Sequence, residues 1–421
     1  MNESYDANVL YDAGTKAMNG SKFKKSTQLF EMNHLLNTAK IRKELMEHTY
    51  KPDPGQKFII KERGKTRYIT SNTMKDKTVN HVLCDSVLTP SIEPYLIYDN
   101  GASQKGKGVS FHRKRFEAHL HQYYMQNHTN EGYILLVDFS GYYANIPHDK
   151  CRESMTSFMD RSGLDPETVE TAKEILDKVF QSFELDVSRF SDEEVEAMMH
   201  TKIDPLMNVG VDPKLLTGEK FLKKGVDIGS QPSQNIGIVY PYTVDNYAKI
   251  VRGVPGYGRY TDDFYAVHQS KEFLHDLLRG LTESAEALGL IINPKKTRIC
   301  KLSRPFSHLQ RSYQLTSTGA VKIKISSKAV TRERRKLKAY KRLLDAGRME
   351  YEDIENSFKG WLGGNWKVMT HQQIYNLNAL YVELFGRSIS WKKKHSRLCW
   401  LMAHPSKGWA STATTSSAPR S

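Results

Sequence analysis

Two adjacent aspartates, Asp262 and Asp263, sit in GYGRYTDDFYAV at residues 256–267, between a run ending at Tyr260 and the apolar stretch FYAV. Strand-favouring residues on both sides predict a tight β-hairpin with the carboxylates at its tip. Neighbouring carboxylates repel, and a fold that presents them together ordinarily supplies a cation. Their hard oxygens, with no Cys or His beside them, suit Mg²⁺, an ion that also binds substrate phosphates. A solvated turn is the competing reading, and it weakens once a partner carboxylate is found upstream.

That partner is Asp138, in GYILLVDFSGYYANIPHDK. Residues 133–137 form a short apolar run of the kind found in buried strands, and Asp138 falls at its end. A carboxylate at a strand end, followed by a loop and a helix start, is suited to hold a metal above a sheet.

DFSGYYANI resembles motif A of reverse transcriptases, and YTDDF resembles their motif C, usually written YxDD. Between them, IGSQPSQ at residues 228–234 resembles motif B in its G-x-x-x-S-Q form. The three occur in the family's order. The resemblance implies an α/β (α+β) right-hand polymerase: fingers, a palm sheet flanked by helices, and a helical thumb. It implies RNA-directed DNA synthesis by nucleotidyl transfer, with Asp138, Asp262 and Asp263 as ligands of two Mg²⁺ ions (Mn²⁺ a possible substitute). Such ions activate a 3′-hydroxyl and stabilise the pyrophosphate leaving group. Phe139, Tyr143 and Gln234 would then surround the nucleotide. Tyr143 stands five residues after Asp138, where the family sets an aromatic ring against the sugar 2′ position; a core tyrosine is the alternative.

Charge agrees with a polyanionic partner. Sixty-two Lys and Arg against 47 Asp and Glu give a net charge of +15, which favours salt-dependent binding to nucleic acid. Four dispersed cysteines show no C-x-x-C pairing, arguing against a zinc site or a disulfide framework and fitting a reducing cytosol. The N-terminal residues lack a basic region followed by an apolar core, so no secretory leader is expected. No apolar run approaches the roughly 18 residues of a membrane span. A cytoplasmic location and no membrane partner follow as expectations.

Along the chain, FIIKERGKTRYIT from residue 58 reads as a hairpin around Gly64. In the family, a fingers hairpin grips the triphosphate, and Lys65 and Arg67 match its basic residues. Residues 76–87 have helical periodicity that Pro90 and Pro94 are expected to end. The loop NGASQKGKG offers backbone amides, Lys105 and Lys107 to template phosphates, before a helix at 111–124. An acidic helical insertion is expected at about 151–225, packed on the palm's outer face or meeting a protein partner. In motif B, Gly229 would admit close approach of template or nucleotide, with a helix starting near Ser233.

After the aspartate hairpin, residues 271–288 predict an amphipathic helix closed by Gly289. LIINPKKTRICKL resembles motif D, whose lysine protonates the departing pyrophosphate; Lys295 or Lys296 is the candidate. Residues 306–325 predict a hairpin turning at Ser317–Gly319, in the position of the primer grip. The basic helix at 327–346 carries Arg332, Arg335, Lys336 and Lys338 as candidate phosphate contacts. Trp361 and Trp366 are expected in a thumb core, with a basic patch and low-complexity tail following.

The implied domains are fingers at 1–130, palm at 131–325, thumb at 326–390 and a basic, disordered tail at 391–421. The expected partners are template RNA, primer, cDNA product and deoxynucleoside triphosphates. The Ser233–Gln234 pair resembles enzymes of diversity-generating retroelements, which implies a small accessory protein as a partner. An antiviral defence reverse transcriptase using its own noncoding RNA is the near alternative. A nucleic-acid-binding protein without catalysis is the distant one, and the intact aspartates argue against it.

Overall fold

A computed structural model of the protein describes residues 5–62 and 65–389. The chain divides into two compact units between Lys301 and Leu302.

The first unit begins with α1 (Ala7–Met18), α2 (Lys25–Met32) and α3 (His34–Met46). Strands β1 (Gln56–Glu62) and β2 (Lys65–Ser71) then form the expected hairpin, in register from Gln56↔Ser71 to Glu62↔Lys65. Helix α4 (Met74–Val82) starts at Thr73, whose side chain accepts a hydrogen bond from the Asp76 amide. It does not stop at Pro90. A π-helical turn over Leu83–Leu88 leads straight into α5 (Thr89–Ile92), with Pro90 in its first turn. The Thr89 amide reaches back five residues to Cys84 O, and Pro90 falls in the first turn of α5, where a missing amide is best tolerated.

Helix α6 (Val109–Asn127) precedes β3 (Tyr133–Asp138), α7 (His148–Asp160) and α8 (Pro166–Phe183). A short β4 (Leu185–Asp186), α9 (Asp192–His200) and β5 (Phe221–Leu222) build the insertion. Then come α10 (Gln231–Val239), α11 (Tyr242–Asn246), β6 (Tyr257–Tyr260), β7 (Asp263–His268), α12 (Lys271–Ala287) and β8 (Arg298–Lys301). The central sheet has order β6-β7-β3-β8 and every pairing is antiparallel. Strand alternation divides its side chains between two layers. Leu135, Val137, Phe264 and Ala266 join the main core with Leu274, Leu277 and Leu281 of α12. Tyr265 meets Phe116 of α6, ring centroids 4.6 Å apart. Each such buried aliphatic or aromatic side chain contributes about 1.5–3 kcal/mol.

The insertion is tied to the sheet's approach loop. Val226 donates to Tyr143 O at 2.8 Å, Gly225 to Ile146 O at 2.8 Å, and His148 to Lys223 O at 3.0 Å. Lys224 is buried, and its ammonium donates to Met198 O, Met199 O and Thr201 O at 2.8–3.1 Å. Burial pushes that amine down to about 8. The carbonyl cluster closing α9 is nonetheless where a helix favours a cation.

In the second unit, β9 (Phe306–His308), β10 (Arg311–Leu315) and β11 (Val321–Ile325) form a sheet of order β11-β10-β9. The expected hairpin thus has a broken first arm. Leu309 and Gln310 both adopt positive φ, which turns the strand back on itself. Helices α13 (Ser327–Asp345), α14 (Tyr351–Asn365) and α15 (His371–Phe385) enclose Leu337, Ile354, Phe358, Leu362, Leu377 and Tyr381. Trp361 and Trp366 pack partly buried against this core. The basic patch and tail at 391–421 lie outside the described residues. No helix among those described is long and apolar enough to cross a membrane.

Candidate active site

Strand pairing brings the two carboxylate stations together. Asp138, the last residue of β3, is the cross-strand partner of Asp263, the first of β7. The Phe139 amide donates to Asp262 O at 3.2 Å, and the Asn293 amide donates to Asp138 O at 2.8 Å. Asp138 is 6% exposed, whereas Asp262 and Asp263 are half-buried. Thr261, which turns the hairpin, has φ 57°. A β-branched residue is unfavourable in the left-handed region, so the surrounding bonds must hold it there.

A cation already faces Asp138. The Lys296 ammonium lies 2.5 and 2.8 Å from its two carboxylate oxygens, and Asn293 Nδ2 lies 3.4 Å from Oδ1. Lys295 is exposed, and its backbone amide bonds Asn293 Oδ1. The two motif D lysines therefore diverge. Among the described residues, no three His, Cys, Asp or Glu side chains form a ready metal cluster. The carboxylate oxygens of Asp138, Asp262 and Asp263 are hard donors and fit Mg²⁺ in donor type.

The rings around the site divide by depth. Phe139 is buried, its ring 5.3 Å from Tyr142 and 5.1 Å from Phe264. Its side chain therefore supports the floor, and its backbone faces the turn. Tyr142 donates to Gly237 O at 2.8 Å. Tyr143 lies against α10, where a Cβ on Gly237 would sit 2.4 Å from its hydroxyl oxygen. Glycine at 237 is thus required for that ring to rest where it does. Burial, with Asp262 nearby, pushes the Tyr143 phenol up to about 12, so it stays protonated at neutral pH.

Motif B starts with Ser230 capping α10 at the Ser233 amide, and Gln234 stands exposed in the first turn. Gly229 has φ 127°, and a Cβ there would lie 3.0 Å from Thr70 O. Only glycine lets β2 approach so closely. Ile69 bridges Ile228, and the Thr70 amide donates to Ile228 O at 3.4 Å. Arg67 is exposed and pairs in register with Ile60, while Lys65 pairs with Glu62.

Other sequence candidates lie elsewhere. Lys105 is exposed on its loop, but Lys107 turns inward, donating to Tyr98 O at 3.0 Å beneath the Tyr98 and Phe111 rings. On α13, Arg332, Arg335 and Lys338 are exposed, whereas Lys336 donates to Ser357 Oγ at 2.8 Å. Sequence reasoning missed Gly237, Lys224 and the buried pair Arg259–Asp245. For Arg259 a signal was available: strand alternation puts it on the same face as Tyr257.

A family model described as Reverse transcriptase (RNA-dependent DNA polymerase) matches residues 51–315. No curated protein sequence matches. Among solved structures, an apo telomerase from Candida tropicalis, truncated of its C-terminal domain, is 13% identical over 66% of this chain, with TM-score 0.42. Telomerase from Candida albicans, in complex with a fragment of telomeric RNA, is 12% identical over 85% of this chain, also with TM-score 0.42. The chain spans 58% and 64% of those two proteins.

Proposed function

Because the chain belongs to the reverse transcriptase family, we propose that it is an RNA-directed DNA polymerase in which Asp138, Asp262 and Asp263 form the metal-binding nucleotidyl-transfer site. The observation that carries this is the register of Asp138 against Asp263, with the Asp262 carbonyl bonded to the Phe139 amide. Divalent ions, Mg²⁺ or Mn²⁺, when bound there would supply activation of the primer 3′-hydroxyl and neutralisation of the leaving pyrophosphate.

The remaining steps belong to the chain's own side chains. Arg67 and Lys65 on the β1–β2 hairpin grip the triphosphate of the incoming deoxynucleotide. Tyr143, seated on Gly237, closes the space a ribose 2′-hydroxyl would need. Gln234 contacts the template base or its sugar, and Gly229 lets the backbone come close. Lys296, already at Asp138, is the better of the two motif D lysines to protonate pyrophosphate. Lys105 and the outward residues of α13 contact nucleic-acid phosphates. Residues 1–130 serve as fingers, 131–325 as palm and 326–390 as thumb; the strands at 306–325 keep a primer-grip role although they fold with the second unit. Work of this kind suits the cytoplasm.

The biological role we favour is synthesis of cDNA within a diversity-generating retroelement, because Ser233 and Gln234 match that type and Gln234 is exposed at the start of α10. A template and variable repeat pair with a small basic accessory gene nearby would support this role; a linked noncoding RNA without repeats would favour antiviral defence. The site itself is tested by changing Asp262 and Asp263 together to Ala. Extension of a primer on an RNA template should be abolished while RNA binding persists. Continued synthesis by the double variant would overturn the assignment.

A further inference from the structure

Beneath the aspartate turn lies an ion pair without access to water. Arg259 of β6 and Asp245 of α11 both have side chains that are 0% exposed. Arg259 Nε lies 2.8 and 3.0 Å from the two Asp245 oxygens, and Nη2 lies 2.7 Å from Oδ2. The Tyr257 hydroxyl donates to the same carboxylate at 2.7 Å. Asp245 therefore occupies one edge of the guanidinium. The other donors leave the pair: Nη2 reaches Ile238 O at 2.7 Å and Nη1 reaches Thr261 O at 3.0 Å.

Those two carbonyls belong to different catalytic elements. Ile238 lies in the last turn of α10, the helix that carries Gln234 and Gly237. Thr261 is the positive-φ residue immediately before Asp262. Its carbonyl is part of the peptide that leads into the first aspartate. With Thr261 O held by Arg259 and Asp262 O held by the Phe139 amide, the peptides on both sides of Asp262 are fixed.

Stability alone is a weak reason for such a pair, since well-packed apolar residues of similar volume generally do as well or better. A planar fork with five donors spread over three nitrogens reaches a carboxylate and two diverging carbonyls together, whereas an ammonium offers its three donors from a single atom.

We propose that Arg259 is a positioning residue for catalysis: clamped by Asp245, it fixes the Thr261 carbonyl and with it Asp262, and ties the aspartate turn to α10. It touches no reacting atom. The proposal rests on the reading of Asp262 and Asp263 as metal ligands.

The test uses the full chain with two variants. Asp245→Leu combined with Arg259→Met removes the pair without leaving a buried charge. Arg259→Lys keeps the charge and the Asp245 contact but loses the fork. Thermal unfolding, steady-state extension with varied deoxynucleotide, and Mn²⁺ binding followed by electron paramagnetic resonance are measured on both. Each variant should unfold cooperatively near the wild-type temperature. The kcat should fall about 10²-fold with KM nearly unchanged, as misplacement of a reacting group by about 1 Å requires. The Kd for Mn²⁺ should rise about tenfold or more, as when a partner of a metal ligand is lost. A folded variant with kcat and Mn²⁺ affinity near wild type overturns the proposal. If the double variant does not fold, Arg259→Lys decides by the same criteria. The combined change of Asp262 and Asp263 to Ala runs alongside. If it stays active, the site reading falls and this proposal falls with it; if it is dead while the pair variants are fully active, only the positioning role is lost.

Discussion

Two β-hairpins of the first unit, β1–β2 and β6–β7, are built by the same antiparallel pairing and buried to opposite degrees. In β1–β2, Phe58, Ile59 and Ile60 remain 41–43% exposed, and the hairpin is a separate two-stranded sheet. In β6–β7, Tyr257, Phe264, Tyr265 and Ala266 are at most 1% exposed, with β3 paired along one edge. A two-stranded hairpin alone is marginal in water, so β1–β2 depends on its contact with motif B at Ile69 and Ile228. Local opening costs least where few apolar contacts are buried. The buried hairpin is suited to fix reacting groups, and the exposed one to grip and release a substrate.

That contrast predicts which kinetic constant each hairpin controls. At the buried site, Lys296→Ala should lower kcat about 10²-fold, the usual scale for a positioned general acid, whereas Lys295→Ala should cost less than about threefold. Single-turnover rates across pH check this, and equal losses in both variants would dissolve the distinction between the lysines. On the exposed hairpin, Arg67→Ala should raise KM for deoxynucleotide about tenfold with little change in kcat, from loss of a charge-assisted contact. A fall in kcat at unchanged KM would place Arg67 in the chemistry instead.

The Tyr143 ring, seated on Gly237, gives a smaller, selective effect. Tyr143→Val should increase ribonucleotide relative to deoxyribonucleotide incorporation several-fold, about 1 kcal/mol, because removing the ring opens room for a 2′-hydroxyl, at the lower end of what steric contacts in a pocket are worth. Unchanged discrimination in an active variant would make Tyr143 a packing residue. Helix α13 repeats the inward and outward contrast at single-residue scale. Replacing Arg332, Arg335 and Lys338 with Gln should each reduce the logarithmic salt slope of RNA binding by roughly 0.7–0.9. Lys336→Gln should leave that slope alone and lower the unfolding temperature, because its ammonium is spent on Ser357.

Local patterns were readable where one short segment decides the outcome. The aspartate hairpin, the strand ending at Asp138 and the helix after Ser270 all follow from alternation, propensity and capping. What escaped were features set by distant partners. Arg259 precedes the aspartates by only a few residues, but its clamp, Asp245, comes from another element. Lys107 looked like a phosphate contact in a glycine-punctuated loop, yet Tyr98 and Phe111 draw it inward. Pro90 looked like a helix stop because a π-turn is invisible to a periodicity of 3.6. Lys224 carried no local sign that three carbonyls awaited it. Charge in a sequence shows how many cations there are, and packing decides which of them face water.

The order of strands in the central sheet also imposes a schedule on the protein's birth. Asp138 and the ammonium that meets it, Lys296, are separated by 158 residues of chain. At a ribosomal rate of about 5–20 residues per second, roughly 8–30 s pass between the synthesis of the two. Until residues 263–268 emerge as β7, β3, an almost wholly apolar strand, has neither neighbour of its final sheet, and it lacks β8 for the whole interval. Early shelter for that strand, from the helices already made or from a chaperone, is therefore a condition for the enzyme's yield in the cell.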